Sequence, residues 1–406
     1  MCGLRRLRTV NMRGTERRCG FSGKRKIWRW PAAVLAGLGA ALLATCPDSA
    51  PAAGPGQGAQ VVISAATPDE PAEARYYTPL EGDTVRCGLC FRGCLIPEGE
   101  RGFCSNRENR GGTLYTLVYN RPCALQVDPI EKEPMYHFLP GTRIYCVGTA
   151  SCTFTCLHCH NWHMSQRTVE ELRSYHLTPG QVVDQAEEND CAAISFTYNE
   201  PTVFYEYMYD VVLEAEERGL RTIFHTNGSM AEEPLRAILG HVDGVTVDLK
   251  AFSEDFYDEV CGGGELEHVL GTLRTIREEG VWLEIVYLVI PTLNDDPDEI
   301  RAMCRWVRDE LGPDVPVHFS RFSPSYRLTR LSPTPISTLE EAWSIAREAG
   351  LEYVTLGNVP GHVRNSTFCP ECGATLIDRT HFQVNEMNMR DGSCRRCGLE
   401  VPGVWE

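Results

Sequence analysis

YCVGTASCTFTCLHCHNW, residues 145–162, sets Cys152, Cys156 and Cys159 in a CxxxCxxC spacing, and no further cysteine follows until Cys191. A four-iron cluster takes one thiolate per iron, so three close cysteines hold it and leave one iron open to a substrate. A ferredoxin that only carries electrons places a fourth cysteine nearby, whereas an open metal position marks a catalytic site. The competing readings are zinc, which asks for two CxxC-like pairs or four ligands, and cysteines buried as small hydrophobes.

Working outward, the triplet follows a short apolar run, and Gly148, Thr149, Ala150 and Ser151 form a flexible lead-in that lets backbone wrap a cluster closely. Candidate strands at 144–148, 193–197, 222–226, 244–249, 283–290, 315–319 and 353–356 alternate with helical spacing over 203–218, 232–239, 268–279, 298–310 and 338–349. This alternation predicts βα units around a parallel sheet. Six or seven units suit a partial or full (β/α) TIM-type barrel, with chemistry at the C-terminal strand ends. A doubly wound sheet is the rival. The barrel is favoured because polar residues follow each early strand: the triplet after the first, Thr197-Tyr198-Asn199-Glu200-Pro201 after the second, His225-Thr226-Asn227-Gly228 on the third, and Asp248-Leu249-Lys250 on the fourth.

The formal charge of -16 conceals an asymmetry, because residues 1–30 carry ten Lys/Arg against Glu16 alone. The remainder is strongly acidic, with no basic patch interleaved with aromatics, which argues against nucleic acid as a partner. The basic start precedes an uncharged run, PAAVLAGLGAALLATCP at 31–47, so 1–46 reads as a signal peptide or membrane anchor. Arg17-Arg18 resembles a degenerate twin-arginine signal, and the segment around Cys46 resembles a lipobox. A misassigned start codon is the alternative. The Ala/Pro/Gly-rich stretch at 47–79 reads as a disordered linker. A cysteine-rich module at 80–142, the barrel at 143–362 and a final module at 363–406 complete the division.

Of nineteen cysteines, eleven fall into three groups. Metal binding explains that spacing better than disulfides, and thiolate ligands must stay reduced, which points to cluster assembly in the cytoplasm. Export or membrane attachment follows if the leader is real. Cys369-Pro-Glu-Cys372 and Cys394-Arg-Arg-Cys397, each followed by glycine, form a zinc-ribbon pattern that staples a small module. Cys87, Cys90, Cys94 and Cys104 have uneven spacing and suit zinc, a second iron–sulfur cluster or, in an exported chain, disulfides. Cys146, Cys191, Cys261 and Cys304 lie in strand or helix patterns and are expected as buried hydrophobes.

The triplet after the first strand of a βα unit resembles the radical S-adenosylmethionine (SAM) enzymes. That resemblance implies a [4Fe-4S] cluster whose open iron takes the amino and carboxylate groups of SAM, and reductive cleavage to a 5'-deoxyadenosyl radical. His158 then stands where the family usually has an aromatic residue near the adenine. Asn199 and Glu200 fall in the family's amino-group motif; the alternative is a strand-end turn with Glu200 capping a helix. Thr226 and Asn227 correspond to a ribose-side segment. Asp248 and Lys250, on one face of a strand, resemble the DLK segment of glycyl-radical-enzyme activases, with an internal ion pair as the alternative; His225 stands where activases carry Asp. His318 corresponds to a histidine contact of the activases, against a structural strand histidine.

Longer stretches, among them CGLCFRGCLIPEGERGFC (87–104), DPIEKEPMYHFLPGT (128–142), HFSRFSPSYRLT (318–329) and LGNVPGH (356–362), resemble the AmmeMemoRadiSam system radical SAM enzymes, relatives of pyruvate formate-lyase activase, over about 80–405. The resemblance implies hydrogen abstraction from an unidentified substrate, an electron donor such as flavodoxin or ferredoxin, and Memo-like and AMMECR-domain partners. Activation of a glycyl-radical enzyme is the alternative within the class. A non-catalytic iron–sulfur or zinc carrier or scaffold is the alternative outside it.

Overall fold

The computed structural model of the protein describes residues 71–406. The expected signal or anchor at 1–46 and most of the expected linker lie outside the described residues. Among those described, no helix is long and apolar enough to cross a membrane.

The cysteine-rich module already has strands at Ala72, ahead of the expected boundary at residue 80. It comprises β1 (Ala72–Glu73), β2 (Tyr77–Pro79), β3 (Val85–Cys87), β4 (Leu95–Ile96), β5 (Arg107–Arg110) and β6 (Thr113–Thr116), in two three-stranded antiparallel sheets ordered β1-β6-β5 and β2-β3-β4.

An eight-stranded sheet follows. Its edge strand β7 (Ala124–Pro129) runs antiparallel to β8 (Arg143–Gly148). The chain continues through α1 (Trp162–Ser165), α2 (Pro179–Glu188), β9 (Ala193–Phe196), α3 (Tyr205–Glu217), β10 (Arg221–Thr226), α4 (Glu232–Leu239), β11 (Gly244–Asp248), α5 (Glu254–Glu259), α6 (Leu266–Glu278), β12 (Trp282–Val289), α7 (Pro297–Trp306), β13 (Val317–Arg321), α8 (Ile336–Ala349) and β14 (Val354–Gly357). Strands β8 to β14 are parallel, each beside its sequence neighbour, and β14 does not pair back to β7. The barrel is therefore partial and open.

Two-residue alternation separates the faces. Val245, Val247, Ile285 and Phe319 are fully buried in the main core with residues of the surrounding helices, such as Val211 and Leu273. The alternate positions carry Ser195, His225, Thr246, Asp248, Glu284 and His318, so the inner face is polar. Residues 130–139 plug its N-terminal end: Met135 and Phe138 pack with Ile144, Ala193 and Ile223, and a Cβ on Gly244 would lie 3.3 Å from both Met135 and Phe138.

The C-terminal module, with β15 (Thr367–Phe368), β16 (Thr375–Thr380) and β17 (Gln383–Met387) in one sheet and β18 (Met389–Arg390) with β19 (Ser393–Cys394) in a hairpin, docks on this plug. Leu139 N–H donates to Val404 O (2.7 Å), and Arg379 donates to Tyr136 O (2.7 Å). The N-terminal module sits at the opposite end, on the loops after β8 and β10: Asn106 Nδ2 donates to Ala150 O (2.6 Å) and Ala231 N–H to Leu89 O (2.9 Å).

Candidate functional site

β8 ends at Gly148, where a Cβ would fall 2.8 Å from Thr197 O at the end of β9. That close approach needs glycine, and it brings the 149–151 lead-in against the turn at Tyr198. Asn199 clamps the two: Thr149 N–H donates to its Oδ1 (3.0 Å), and its Nδ2 donates to Ser151 O (2.8 Å). Ser151 itself has φ +73°, a left-handed conformation held by this clamp and by its hydroxyl's bond to Cys104 O.

The triplet loop is then fastened from several sides. Thr155 N–H donates to Cys261 O and Leu157 N–H to Val260 O, both at 2.9 Å. Phe154 N–H (3.4 Å) and Asn227 Nδ2 (3.6 Å) point at Cys152 Sγ, and Ser165 Oγ lies 3.2 Å from Cys159 Sγ. Burial raises the Cys152 and Cys159 thiols, and a hydrogen bond with Cys261 followed by burial raises Cys156. Cys261 is buried, as expected, but it lies against the triplet, so a fourth thiol stands beside Cys156.

Glu200 is buried and saturated. It accepts from Thr202 N–H (3.1 Å), Thr202 Oγ1 (2.6 Å), Thr226 Oγ1 (2.8 Å) and Asn227 N–H (2.7 Å), which fills about the four acceptor sites a carboxylate has. The capping alternative is thus the observed geometry: Glu200 caps the 3-10 turn Pro201–Phe204 and ties β9 to the end of β10. Asn199 and Thr226 likewise spend their polar groups on protein partners, while Asn227 reaches Cys152.

Asp248 pairs with Lys250 (2.8 Å) and with His225 (3.4 Å), so the internal ion pair is present, and it faces the polar interior at the strand ends. Burial opposes ionisation of Asp248, but Lys250 and His225 outweigh it and hold the carboxyl well below its usual range. His158 is buried; burial and the Lys250 ammonium push it down to about 3, leaving a neutral ring with Nδ1 unpartnered. Beneath His225 lies Glu133, a residue sequence reasoning passed over. Burial pushes its carboxyl up to about 7 against the downward pull of His225 and the Ser195 and Thr197 hydroxyls, and Ser195 Oγ donates to it at 2.6 Å.

His318 does not join this group. It sits in the lower half of β13, with Nε2 on Glu284 (2.6 Å) and Nδ1 on Thr355 (2.6 Å). Glu284 also accepts the backbone N–H groups of Tyr136 and His137 (2.8 and 2.7 Å). Both ring nitrogens are taken by neighbouring strands, Glu284 of β12 and Thr355 of β14, and Glu284 links this pair to the plug, which is the arrangement of the structural alternative.

Among the described residues, the only group of three or more His, Cys, Asp or Glu whose ligand atoms all lie within 4.8 Å of one another is Cys369, Cys372, Cys394 and Cys397. This set is built to hold one metal ion. Every described cysteine is free of disulfide bonding.

A profile of the Radical SAM superfamily matches residues 147–307, from the end of β8 into the helical turn after α7. The chain is 45% identical over 331 residues to the uncharacterized protein MJ0808 of Methanocaldococcus jannaschii, covering 81% of this chain and 98% of that one. This chain belongs to the radical SAM superfamily. It is also 27% identical over 176 residues to the pyruvate formate-lyase-activating enzyme of Clostridium pasteurianum, covering 42% of this chain and 71% of the relative. Among solved structures it is similar to a radical SAM methyltransferase from Sphaerobacter thermophilus, with TM-score 0.43 and 17% identity over 59% of this chain and 71% of that one.

The radical SAM assignment makes the protein an enzyme, and the non-catalytic carrier or scaffold gives way to it. Membership implies a [4Fe-4S] cluster and SAM, and the residues present fit them. The triplet sulfurs do not crowd around one point as a single-ion site requires, donors are aimed at Cys152, and the buried Nδ1 of His158 has no hydrogen-bond partner.

Proposed function

We propose that Cys152, Cys156 and Cys159 ligate a [4Fe-4S] cluster with one iron open to SAM, and that the enzyme abstracts hydrogen from an unidentified substrate. The observation that carries this is the junction of the triplet with the polar strand ends of a partial barrel. When bound, the cluster and SAM supply reductive cleavage of the sulfonium and a 5'-deoxyadenosyl radical. The protein's residues bind and orient. Phe154 N–H and Asn227 Nδ2 donate toward Cys152 Sγ and favour its thiolate. Asn199 and Glu200 act as positioning residues, holding the loop and the β10 end. Asp248 and Lys250 offer charges of both signs to the interior, and His158 offers a neutral ring with a free nitrogen. The surrounding apolar shell excludes water that would quench a radical.

Anaerobic assay for 5'-deoxyadenosine with SAM and dithionite tests this reading: wild type is expected to form it and Cys156→Ala to form none. A fully loaded wild type that forms none overturns it.

The similarity to a pyruvate formate-lyase-activating enzyme supports a second reading, activation of a glycyl-radical enzyme. The stretches quoted above support placement in the AmmeMemoRadiSam group, with Memo-like and AMMECR-domain partners and a flavodoxin or ferredoxin donor. For the C-terminal set we infer zinc: Cys369 and Cys397 sulfurs lie 3.6 Å apart and those of Cys372 and Cys394 3.7 Å, near the ~3.8 Å edge of a tetrahedron with bonds of about 2.3 Å.

A further inference from the structure

The four cysteines of the N-terminal module line one cavity. Cys87, Cys90, Cys94 and Cys104 border a small cavity of about 20 Å³ whose remaining wall is largely apolar, Ile96 and Val203 included. The C-terminal set provides an internal standard for a single ion, with all four sulfurs within 4.8 Å of one another. The N-terminal sulfurs do not gather so: among the described residues, no three of them meet that limit. Thiolates spread around a void suit a group that distributes them over different irons.

Arg107 points the same way. It is 1% exposed, its Nη1 is directed at Cys87 Sγ (3.7 Å), its Nη2 pairs with Glu206, and its Nε is buried with no partner. A buried cation and N–H donors toward sulfur are the means by which proteins stabilise and tune iron–sulfur clusters. The site also adjoins the triplet. Thr153, next to Cys152, lines the same cavity, Arg92 Nε donates to Thr153 O (2.8 Å), and Cys90 bridges the backbone at Met230 in the loop after β10.

We propose that Cys87, Cys90, Cys94 and Cys104 bind a second, fully thiolate-ligated iron–sulfur cluster rather than zinc, placed to pass single electrons to the group held by Cys152, Cys156 and Cys159. Each transfer moves one electron from an external low-potential donor, a reduced flavin or iron–sulfur protein, onto this cluster and then onward. One centre is oxidised as the next is reduced, and no bond is made or broken. The electron-passing role rests on the triplet reading given above; the metal identity does not.

Anomalous scattering at the iron and zinc edges, from crystals of anaerobically reconstituted wild type, tests the metal directly. The expected result is iron among the four N-terminal cysteines and zinc at the C-terminal set; zinc or no metal at the N-terminal site overturns the proposal. In solution, a variant combining Cys152→Ala, Cys156→Ala and Cys159→Ala is expected to keep about two to four irons with matching sulfide and a paramagnetic signal on reduction. Loss of all iron from that folded variant also overturns it. Failure of the triplet reading would look different: iron content that the variant does not lower. For the relay, Cys94→Ser with the triplet cluster loaded is expected to slow its reduction by reduced flavodoxin at least about tenfold, and an unchanged rate overturns that role.

Discussion

Replacing Glu133 by Gln tests the polar column inside the barrel. Glu133 is 4% exposed, and its carboxyl titrates near 7 where 4.5 is ordinary, chiefly because burial disfavours its charge. The folded protein therefore holds this proton more tightly than the unfolded chain does. The resulting stability is fully present below about pH 4.5 and is lost as pH rises through about 7. At roughly 1.4 kcal/mol per pH unit, the interval between those two values corresponds to about 3 kcal/mol. Glutamine imitates the neutral acid and still accepts from Ser195 Oγ. Urea denaturation followed by tryptophan fluorescence is thus expected to find Glu133→Gln close to wild type at pH 5 and more stable by about 3 kcal/mol at pH 8. Parallel stability curves for the two proteins from pH 5 to pH 8 would refute the reasoning, because they would mean that Glu133 is already ionised in a solvated or well-paired site.

Other substitutions separate positioning from structure. Asn199→Ala removes the acceptor of Thr149 N–H and the donor to Ser151 O; a cost of about 1–3 kcal/mol per stranded group and reduced iron loading are expected, read by thermal melting and iron assay. Gly148→Ala drives a Cβ to 2.8 Å from Thr197 O, a backbone atom that no rotamer change moves, so a loss of about 1–3 kcal/mol is expected in the same assays. His318→Phe leaves Glu284 without the hydrogen bond that, against burial, holds its carboxyl down to about 2; a destabilisation of about 3–5 kcal/mol is expected, with SAM affinity of the folded fraction retained. A large loss of affinity at intact stability would return His318 to the cosubstrate site.

The parallel strands were legible because each is a short β-branched run between turn residues, and their observed ends fall within two residues of those expected. β7 escaped notice because Ala124–Pro129 is a half-exposed edge strand without alternation. α2 was missed because PGQVVDQAEE carries too few apolar residues for a clear stripe, although Thr178 caps it with Gln181. The cysteine triplet was readable from spacing alone. Depth along a strand was not: alternation puts His318 and Asp248 on the inner face, but only the hydrogen bonds show that His318 serves the plug while Asp248 serves the strand ends. Glu133 and Cys261 reach the site through tertiary packing, Glu133 from the plug and Cys261 from the loop after α5, and neither carries a local pattern that reveals it.

Cys261 beside Cys156 makes the open iron the point on which the account turns. Pulsed paramagnetic resonance of the reduced wild-type cluster, with SAM labelled in its amino nitrogen and carboxylate oxygens, measures that iron directly. The account predicts magnetic coupling of both labels to the triplet cluster. A reduced, intact cluster that shows no coupling to either label would contradict it and point to Cys261 or another protein group as the fourth ligand.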